Sequence, residues 1–379
     1  MQTENATWRA GSGFAPRQGL TGAGLTFVFG ARSALTDPAF LSALAARYPN
    51  AHQIGCSTGG QIIADDVSDE AVSCLAMEFA RTPLGVAETH VADKADSFEA
   101  GRRVGAALAR ADLRALFVLS DGLNVNGDRL VEGLRAGAGP TVAITGGLAG
   151  DGAAFGRTLV LHDGRTAEKL VVAVGFYGDA ITIGHGSAGG WSQFGPPRTI
   201  TRAQDNVLFE IDGKPALALY KSYLGAEADD LPGSGLLYPL LVCDPHKPDH
   251  AVVRTILAID EDAGSMTFAG DTPQGWTAQL MRGYFDRLTA AAQDAAARAM
   301  GPLETVVSPK AAILVSCIGR RILMGESIVE EVLAAHQALG AATAVTGFYS
   351  YGEISPHAES GACELHNQTM TVTTFAEAA

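Results

Sequence analysis

Three short segments near the C-terminus carry side chains that could do chemistry together. They are Ser316-Cys317-Ile318-Gly319-Arg320, Gly347-Phe348-Tyr349-Ser350-Tyr351-Gly352-Glu353-Ile354 and Glu364-Leu365-His366-Asn367-Gln368-Thr369. Their thiol, guanidinium, phenol, carboxyl, imidazole and amide groups are those that a pocket for a small polar or aromatic ligand requires. We therefore predict a ligand pocket lined by Cys317, Arg320, Tyr349, Tyr351, Glu353, His366 and Asn367.

Arg320 has the clearest role in this pocket, because a planar guanidinium can hold a carboxylate through two hydrogen bonds. Arg321 competes with it for that role. Glu353 would bind an amino group, and Tyr349 or Tyr351 would stack on the apolar part of the ligand. The alternative is that the tyrosines are packing aromatics with surface hydroxyls.

Cys317 is the weak candidate for catalysis. A guanidinium three residues away would lower the pKa of the thiol and make it reactive. A small buried residue beside a surface arginine is the alternative, since buried free cysteines are common. A thiol–imidazole pair with His366 would need the fold to bring the two side chains together. Asn367 could equally satisfy loop backbone and nothing more.

Two further patterns resemble known sites only in part. Cys243, His246 and His250 are zinc ligands by type, but their spacing is not that of paired zinc knuckles, so they are weak metal candidates. Gly184-His185-Gly186-Ser187-Ala188-Gly189 matches the dinucleotide glycine pattern, yet Pro196-Pro197 follows and no helix start is predicted. We read His185 as lying in a flexible loop.

Length and charge limit the class of protein. A chain of 379 residues is too long for one ordinary core, so two lobes are expected. A net charge of −14 disfavours nucleic acid and anionic membranes as partners. The N-terminus lacks the pattern of a signal peptide, and five scattered cysteines do not suggest a disulfide framework, so we expect a cytoplasmic protein.

Apolar runs and glycines predict a mixed α/β fold built from strand–helix–strand units. Three such units are predicted, and each ends in a glycine-rich loop: Ser57-Thr58-Gly59-Gly60, Thr145-Gly146-Gly147 and Gly347-Phe348-Tyr349. Parallel strands joined by a crossover place their C-terminal ends on one edge of a sheet. The three loops could therefore meet around one cavity.

Several longer motifs resemble the FIST family in sequence order. In the first half these include Ile54-Gly55-Cys56-Ser57-Thr58-Gly59-Gly60 and Gly146-Gly147-Leu148-Ala149-Gly150-Asp151. In the second half they are Arg254-Thr255-Ile256-Leu257, Ala269-Gly270-Asp271-Thr272-Pro273 and the three C-terminal segments. The resemblance implies a lead-in over 1–21, a FIST N-terminal domain over 22–215 and a FIST C-terminal domain over 216–379.

The resemblance implies an intracellular sensory protein that binds a small ligand, and the residues quoted above point to an amino acid or another carboxylate. Some members bind haem and report nitric oxide to a histidine kinase. That gives a second hypothesis, in which haem b is the cofactor, His185 its axial ligand and a kinase the partner. A cysteine-dependent enzyme is the third. We expect a ligand-binding sensor more than an enzyme.

Overall fold

A computed structural model describes residues 1–16, 20–247, 251–303, 311–357 and 361–378. The first strands are β1 (Gln2–Arg9), β2 (Gly13–Phe14), β3 (Leu25–Gly30), β4 (His52–Ser57), β5 (Gln61–Ile63), β6 (Asp66–Ser68), β7 (Val72–Glu78), β8 (Leu84–His90), β9 (Leu113–Ser120), β10 (Ala143–Leu148), β11 (Val160–His162), β12 (Arg165–Ala167), β13 (Leu170–Tyr177) and β14 (Ile181–Ala188). The later strands are β15 (Ser192–Gln204), β16 (Val207–Ile211), β17 (Lys214–Pro215), β18 (Leu240–Cys243), β19 (Ala251–Arg254), β20 (Ile256–Asp260), β21 (Ser265–Phe268), β22 (Thr277–Arg282), β23 (Ala311–Cys317), β24 (Ala344–Ser350), β25 (Gly352–Pro356), β26 (Cys363–His366) and β27 (Met370–Glu377).

The helices are fewer and mostly short. They are α1 (Arg32–Leu35), α2 (Pro38–Arg47), α3 (Ser97–Leu108), α4 (Gly127–Ala138), α5 (Ala216–Leu224), α6 (Phe285–Met300), α7 (Ile318–Met324) and α8 (Ile328–Leu339). Short 3₁₀ turns lie at Lys94–Asp96, Gly225–Asp230, Gly233–Leu237, Gly301–Leu303 and Gly325–Ser327. The mixed α/β class predicted from the sequence is confirmed.

The three predicted strand–helix–strand units are present, and each contributes a parallel strand pair. The pairs are β3 with β4, β9 with β10, and β23 with β24, and their connections contain α2, α4 and α8 respectively. Buried apolar side chains fill these strands, as expected for parallel pairs inside a protein. Each pair forms the centre of its own sheet.

The three sheets share one strand order and exchange hairpins around a ring. Hairpin β5–β6 follows β4 but joins the sheet of β23 and β24, and β11–β12 follows β10 but joins the sheet of β3 and β4. Hairpin β25–β26 then joins the sheet of β9 and β10. Strands β1, β8 and β14 occupy equivalent positions beside β7, β13 and β27. This core is therefore a three-unit ring in which no sheet is complete without a neighbouring unit.

The chain ends close this ring. The N-terminal ammonium of Met1 lies 3.0 Å from Oε2 of Glu377. The same oxygen accepts from the backbone NH of Ala80, and Oε1 accepts from those of Arg81 and Thr82. Burial raises the pKa of Glu377, but these donors outweigh it and hold that pKa at about 2. One carboxylate thus joins both chain ends to the segment between β7 and β8.

A separate lobe is inserted into the third unit between β14 and α6. Strands β15 to β22 form one antiparallel sheet over residues 192–282, and α5 packs on a core of its own that includes Ile200, Val242 and Phe268. The expected domain boundary at 215/216 lies inside this lobe, where α5 follows β17 directly. Within the described part of the chain, none of the helices combines the length and the apolar composition that a membrane span requires.

The glycine pattern around His185 has a packing explanation. A Cβ added at Gly184 would lie 1.9 Å from the carbonyl oxygen of Ala299, and one at Gly186 would lie 2.1 Å from that of Ala295. These glycines let the backbone of α6 pack directly against β14. The expectation of a flexible loop is corrected: His185 lies within a regular strand paired with β27.

Candidate functional site

The three glycine-rich loops meet, but they pack directly against one another. The backbone NH of Gly59 donates to the carbonyl of Tyr349 at 2.7 Å, and the NH of Gly150 donates to the carbonyl of Ser57 at 2.8 Å. A Cβ added at Gly150 would lie 3.0 Å from the nitrogen of Gly59. We call this region the loop junction. The expected cavity between the loops is therefore replaced by backbone contacts.

Arg320 is held by internal partners and is fully buried. Its Nε donates to Oε2 of Glu331 at 2.9 Å, and its Nη2 donates to the carbonyl of Leu288 at 2.8 Å. Its Nη1 donates to the carbonyl of Gly189. The prediction that Arg320 holds the carboxylate of a ligand is corrected, because the carboxylate beside it belongs to Glu331.

The two tyrosines have separate partners and do not form one aromatic surface. The Tyr349 hydroxyl donates to Oε1 of Glu331 at 3.1 Å, and burial raises its pKa. The Tyr351 hydroxyl donates to the carbonyl of Gly152 at 2.8 Å, and its ring stacks on Phe155 with centroids 4.6 Å apart. The expectation that both rings face one ligand is corrected, since only Tyr351 reaches the loop after β10.

Glu353 and Cys317 lie together in the loop junction. Glu353 accepts hydrogen bonds from the Ser350 hydroxyl at 2.7 Å and from the Thr369 hydroxyl at 2.9 Å. Burial raises the pKa of Glu353 to about 8. Burial, followed by the nearby Glu353 carboxyl, raises the pKa of the Cys317 thiol. The predicted lowering of the Cys317 pKa by Arg320 is therefore corrected, because burial outweighs the guanidinium.

His366 and Asn367 are adjacent in sequence and differ in their contacts. The Nε2 of His366 lies 3.0 Å from the carbonyl of Ser355, and burial lowers the pKa of His366 to about 4. No hydrogen bond joins this ring to Cys317 among the described residues, which corrects the suggested thiol–imidazole pair. Both amide atoms of Asn367 are buried, and they have no hydrogen-bond partner within the described ranges. An unpartnered buried amide is unusual in a folded protein.

The weak metal candidates are only partly described. The Cys243 thiol lies 3.6 Å from the carbonyl of Asp244, and His246 is exposed. His250 lies outside the described residues. The zinc hypothesis for these residues stays a prediction.

A cleft of about 260 Å³ lies between α4 of the core and the inserted lobe. Three of the motifs that resemble the FIST family supply its walls: Arg254 comes from the first, Asp271 and Pro273 from the second, and Glu364 and Leu365 from the third. The remaining lining residues are Asp128, Val131, Glu132, Arg135, Val252, Trp276 and Cys363. We call this space the lobe–core cleft.

Arg254 ties the inserted lobe to the core at this cleft. Its Nη2 lies 2.9 Å from Oδ2 of Asp128 on α4, and its Nη1 donates to the carbonyl of Leu365 at 3.1 Å. Asp128 also accepts from the backbone NH of Asp271 at 2.6 Å. Burial raises the pKa of Asp128, and the Arg254 charge opposes that rise. The Arg254 guanidinium thus already has hydrogen-bond partners within the protein.

Arg135 is the second arginine that lines the cleft, and its hydrogen bonding differs from that of Arg254. It follows Val131 by one helical turn on α4 and lines the same wall. Its Nε is buried and has no hydrogen-bond partner among the residues that the structure describes. Acidic and apolar side chains line the rest of the space, so the cleft offers opposite charges and an apolar surface together.

Sequence reasoning quoted the motifs of Arg254 and Asp271 but placed no site there, and it missed Arg135 altogether. One sequence signal could have indicated this site. Both motifs are part of the resemblance to the FIST family, although they lie far in sequence from the C-terminal segments. Nothing marks Arg135 within α4, because its pattern of apolar and charged residues is that of an ordinary amphipathic helix. Only the folded structure, in which the inserted lobe faces α4, shows that Arg135 lines a cleft.

Comparisons with known proteins identify the class of molecule. A family model described as FIST N domain matches residues 24–214, and one described as FIST C domain matches residues 216–356. FIST domains are sensory domains of signalling proteins that bind small ligands. The chain belongs to the FIST family.

Other comparisons add little to this assignment. No curated protein matches the sequence. Among solved structures, a cyanuric acid hydrolase from A. caulinodans is similar over 94% of this chain and 91% of its own, with 11% identity and a TM-score of 0.31. A likeness this weak supports no conclusion about activity.

Proposed function

We propose that this protein is a sensor that binds a free α-amino acid, or a closely related carboxylate, in the lobe–core cleft. The observation that carries the proposal is the buried, unpartnered Nε of Arg135 at the wall of that cleft. A guanidinium is suited to a carboxylate, because its planar donors can make two parallel hydrogen bonds. Arg135 thus takes the role first expected of Arg320.

The other lining groups fit the rest of such a ligand. Glu132, Asp271 and Glu364 bring carboxylates that attract an ammonium group, and Val252 and Trp276 offer apolar surface to a side chain. A volume of about 260 Å³ is slightly below that of pockets for drug-sized molecules, which span roughly 300–1,000 Å³. The cleft therefore favours a small zwitterion over a larger metabolite.

The position of the cleft supports a way to signal. Its walls come from α4 and β26 of the core and from β19 and the loop between β21 and β22 of the inserted lobe, so a bound ligand contacts both bodies. A ligand can shift a conformational equilibrium only by binding one arrangement better than another. An amino acid that bridges Arg135 and the lobe favours the closed arrangement, in which Arg254 also reaches Asp128.

Isothermal titration of the purified protein with individual amino acids tests the proposal. We expect at least one to bind, and we expect Arg135→Gln to weaken that binding at least tenfold, since hydrogen bonds to charged groups contribute about 1.5–3 kcal/mol. The matched control is Arg102→Gln on α3, whose exposed side chain pairs with Glu99 away from the cleft.

Analogues of the bound amino acid sharpen the result. An analogue that has the amine but lacks the carboxylate should bind the wild type and Arg135→Gln with equal affinity. An analogue that has the carboxylate but lacks the amine should still bind Arg135→Gln more weakly than the wild type. The proposal is wrong if no amino acid binds the wild-type protein, or if Arg135→Gln binds as tightly as Arg102→Gln.

A haem-based nitric-oxide sensor is the second candidate, and one observation favours it. His185 lines a cavity of about 450 Å³ together with His357 and Arg298. Burial lowers the pKa of His185, which keeps its imidazole neutral and able to bind iron at neutral pH. Haem reconstitution should then give a Soret band that His185→Ala abolishes, and a protein that stays colourless would exclude this function.

In either case we propose that a separate signalling protein, such as a histidine kinase, receives the signal, and that both act in the cytoplasm. Support comes from the family, whose domains belong to signalling proteins.

A further inference from the structure

Two histidines and an aspartate come together at one end of the sheet that contains β3 and β4. His52 begins β4, His162 ends β11, and Asp163 lies in the turn to β12. One ligand atom from each side chain lies within 4.8 Å of the other two. This group is remote in sequence from the motifs that line the lobe–core cleft, and nothing in the proposed function uses it.

The spacing of these atoms is close to that in the first coordination shell of zinc. Oδ2 of Asp163 lies 3.4 Å from Nε2 of His162 and 3.8 Å from Nδ1 of His52. Ligand atoms bound to one tetrahedral zinc ion at about 2.1 Å are separated from each other by roughly 3.4 Å. A small movement of the exposed His52 ring would bring all three into range.

A fourth side chain orients His162 as a ligand. Its Nδ1 lies 2.5 Å from Oε2 of Glu88 on β8, which leaves Nε2 directed at Asp163. Oε1 of Glu88 is in turn held by Arg165 at 3.0 Å. Histidines that bind metals usually donate their other ring NH to a carboxylate, which fixes the tautomer and strengthens the ligand. The Glu88–His162 contact has that form.

Backbone hydrogen bonds hold the aspartate in place. Oδ1 of Asp163 accepts from the backbone NH of Gln53 at 2.8 Å, and the NH of Asp163 donates to the carbonyl of Gln53 at 2.8 Å. Asp163 and Gly164 both have positive φ, as a tight two-residue hairpin turn requires. The other carboxylate oxygen, Oδ2, is therefore presented to the histidines from a rigid turn.

We propose that His52, His162 and Asp163 bind a Zn²⁺ ion, with water as the fourth ligand and Glu88 as a positioning residue for His162. Two imidazoles and one carboxylate form a ligand set typical of zinc. The ion would join β4 to hairpin β11–β12, which the second unit donates to this sheet, and Glu88 would link it to β8 of the next sheet. It would therefore stabilise the contact between hairpin β11–β12 and the sheet that this hairpin joins.

Titration of metal-free protein, without a histidine tag, with Zn²⁺ against a chromophoric chelator tests this site. We expect one ion per chain, a weakening of at least tenfold in His52→Ala and in His162→Ala, and a weakening of roughly ten- to a hundredfold in Glu88→Gln. His336→Ala on α8 is the matched control and should bind as the wild type does.

A second measurement covers variants that fold poorly. Co²⁺ in place of Zn²⁺ should give the visible absorption of a tetrahedral site in the wild type, and Asp163→Asn should weaken or remove that absorption while circular dichroism confirms the fold. The proposal is overturned if the wild type binds no ion, or if the His52→Ala, His162→Ala and His336→Ala proteins bind Zn²⁺ equally.

Discussion

A fully buried arginine, Arg320, lies beside the loop junction, whereas a half-buried arginine, Arg135, lines the lobe–core cleft, and the two are used differently. Beside the loop junction the Arg320 guanidinium donates to Glu331 and to the backbone carbonyls of Gly189, Leu288 and Gln368. At the lobe–core cleft the Nε of Arg135 has no partner among the described residues. The comparison separates a guanidinium that completes a core from one that, in the function we propose, is left to a ligand.

The difference follows from where each side chain finds its acceptors. Arg320 lies on α7, and its guanidinium contacts Glu331 on α8 and Leu288 at the start of α6. These contacts bury the side chain completely and leave no access for a ligand. Arg135 lies on the face of α4 that the inserted lobe covers only in part, which leaves the cleft. Substitutions in the loop junction should therefore change stability, and substitutions in the cleft should change binding.

Arg320→Ala should have the largest effect on stability. Removing one member of a buried ion pair leaves the other charge without a partner, which costs about 3–5 kcal/mol. Urea denaturation should show this loss in the free energy of unfolding. Arg102→Ala, which breaks only an exposed pair with Glu99, should stay within about 0.5 kcal/mol of the wild type.

An Arg320→Ala protein with wild-type stability that no longer binds any amino acid would reverse the comparison. The loop junction would then be the ligand site, and Arg135 a bystander.

Glu353 should give the loop junction a smaller effect that depends on pH. Burial raises the pKa of this carboxyl from the ordinary 4.5 to about 8 in the folded protein. The unfolded chain therefore loses this proton at lower pH than the folded chain does. The contribution of Glu353 to stability is complete below its unfolded pKa and disappears as the pH rises through the folded value.

Glu353→Gln, which cannot ionise, should flatten this dependence. We expect the free energy of unfolding of the variant to fall less than that of the wild type between about pH 5 and pH 8. Denaturation at a series of pH values measures the difference, and the exposed Glu99→Gln serves as the control. Parallel curves for wild type and Glu353→Gln would show that this carboxyl keeps an ordinary pKa.

The sequence predicted the repeating parts of this fold well. The three strand–helix–strand units and the mixed α/β class follow from local patterns, because apolar runs and glycine-rich turns fix short elements wherever they occur. The motifs around Arg254, Asp271 and Glu364 also led to the FIST family without any coordinates. The exchange of hairpins between sheets was not predicted, since register between distant strands leaves no local signal.

What the sequence alone determined is thus the type of each element, the family and the chemical groups on offer. The tertiary structure decided which of those groups have hydrogen-bond partners within the protein and which line a cleft without one. The sequence pointed to Arg320 and not to Arg135, whereas packing provides Arg320 with a buried carboxylate and leaves Arg135 at a cleft. The physical reason is that a hydrogen bond depends on positions in space. Arg320 donates to Gly189, which lies 131 residues away in the sequence, and Arg254 donates to Leu365, 111 residues away.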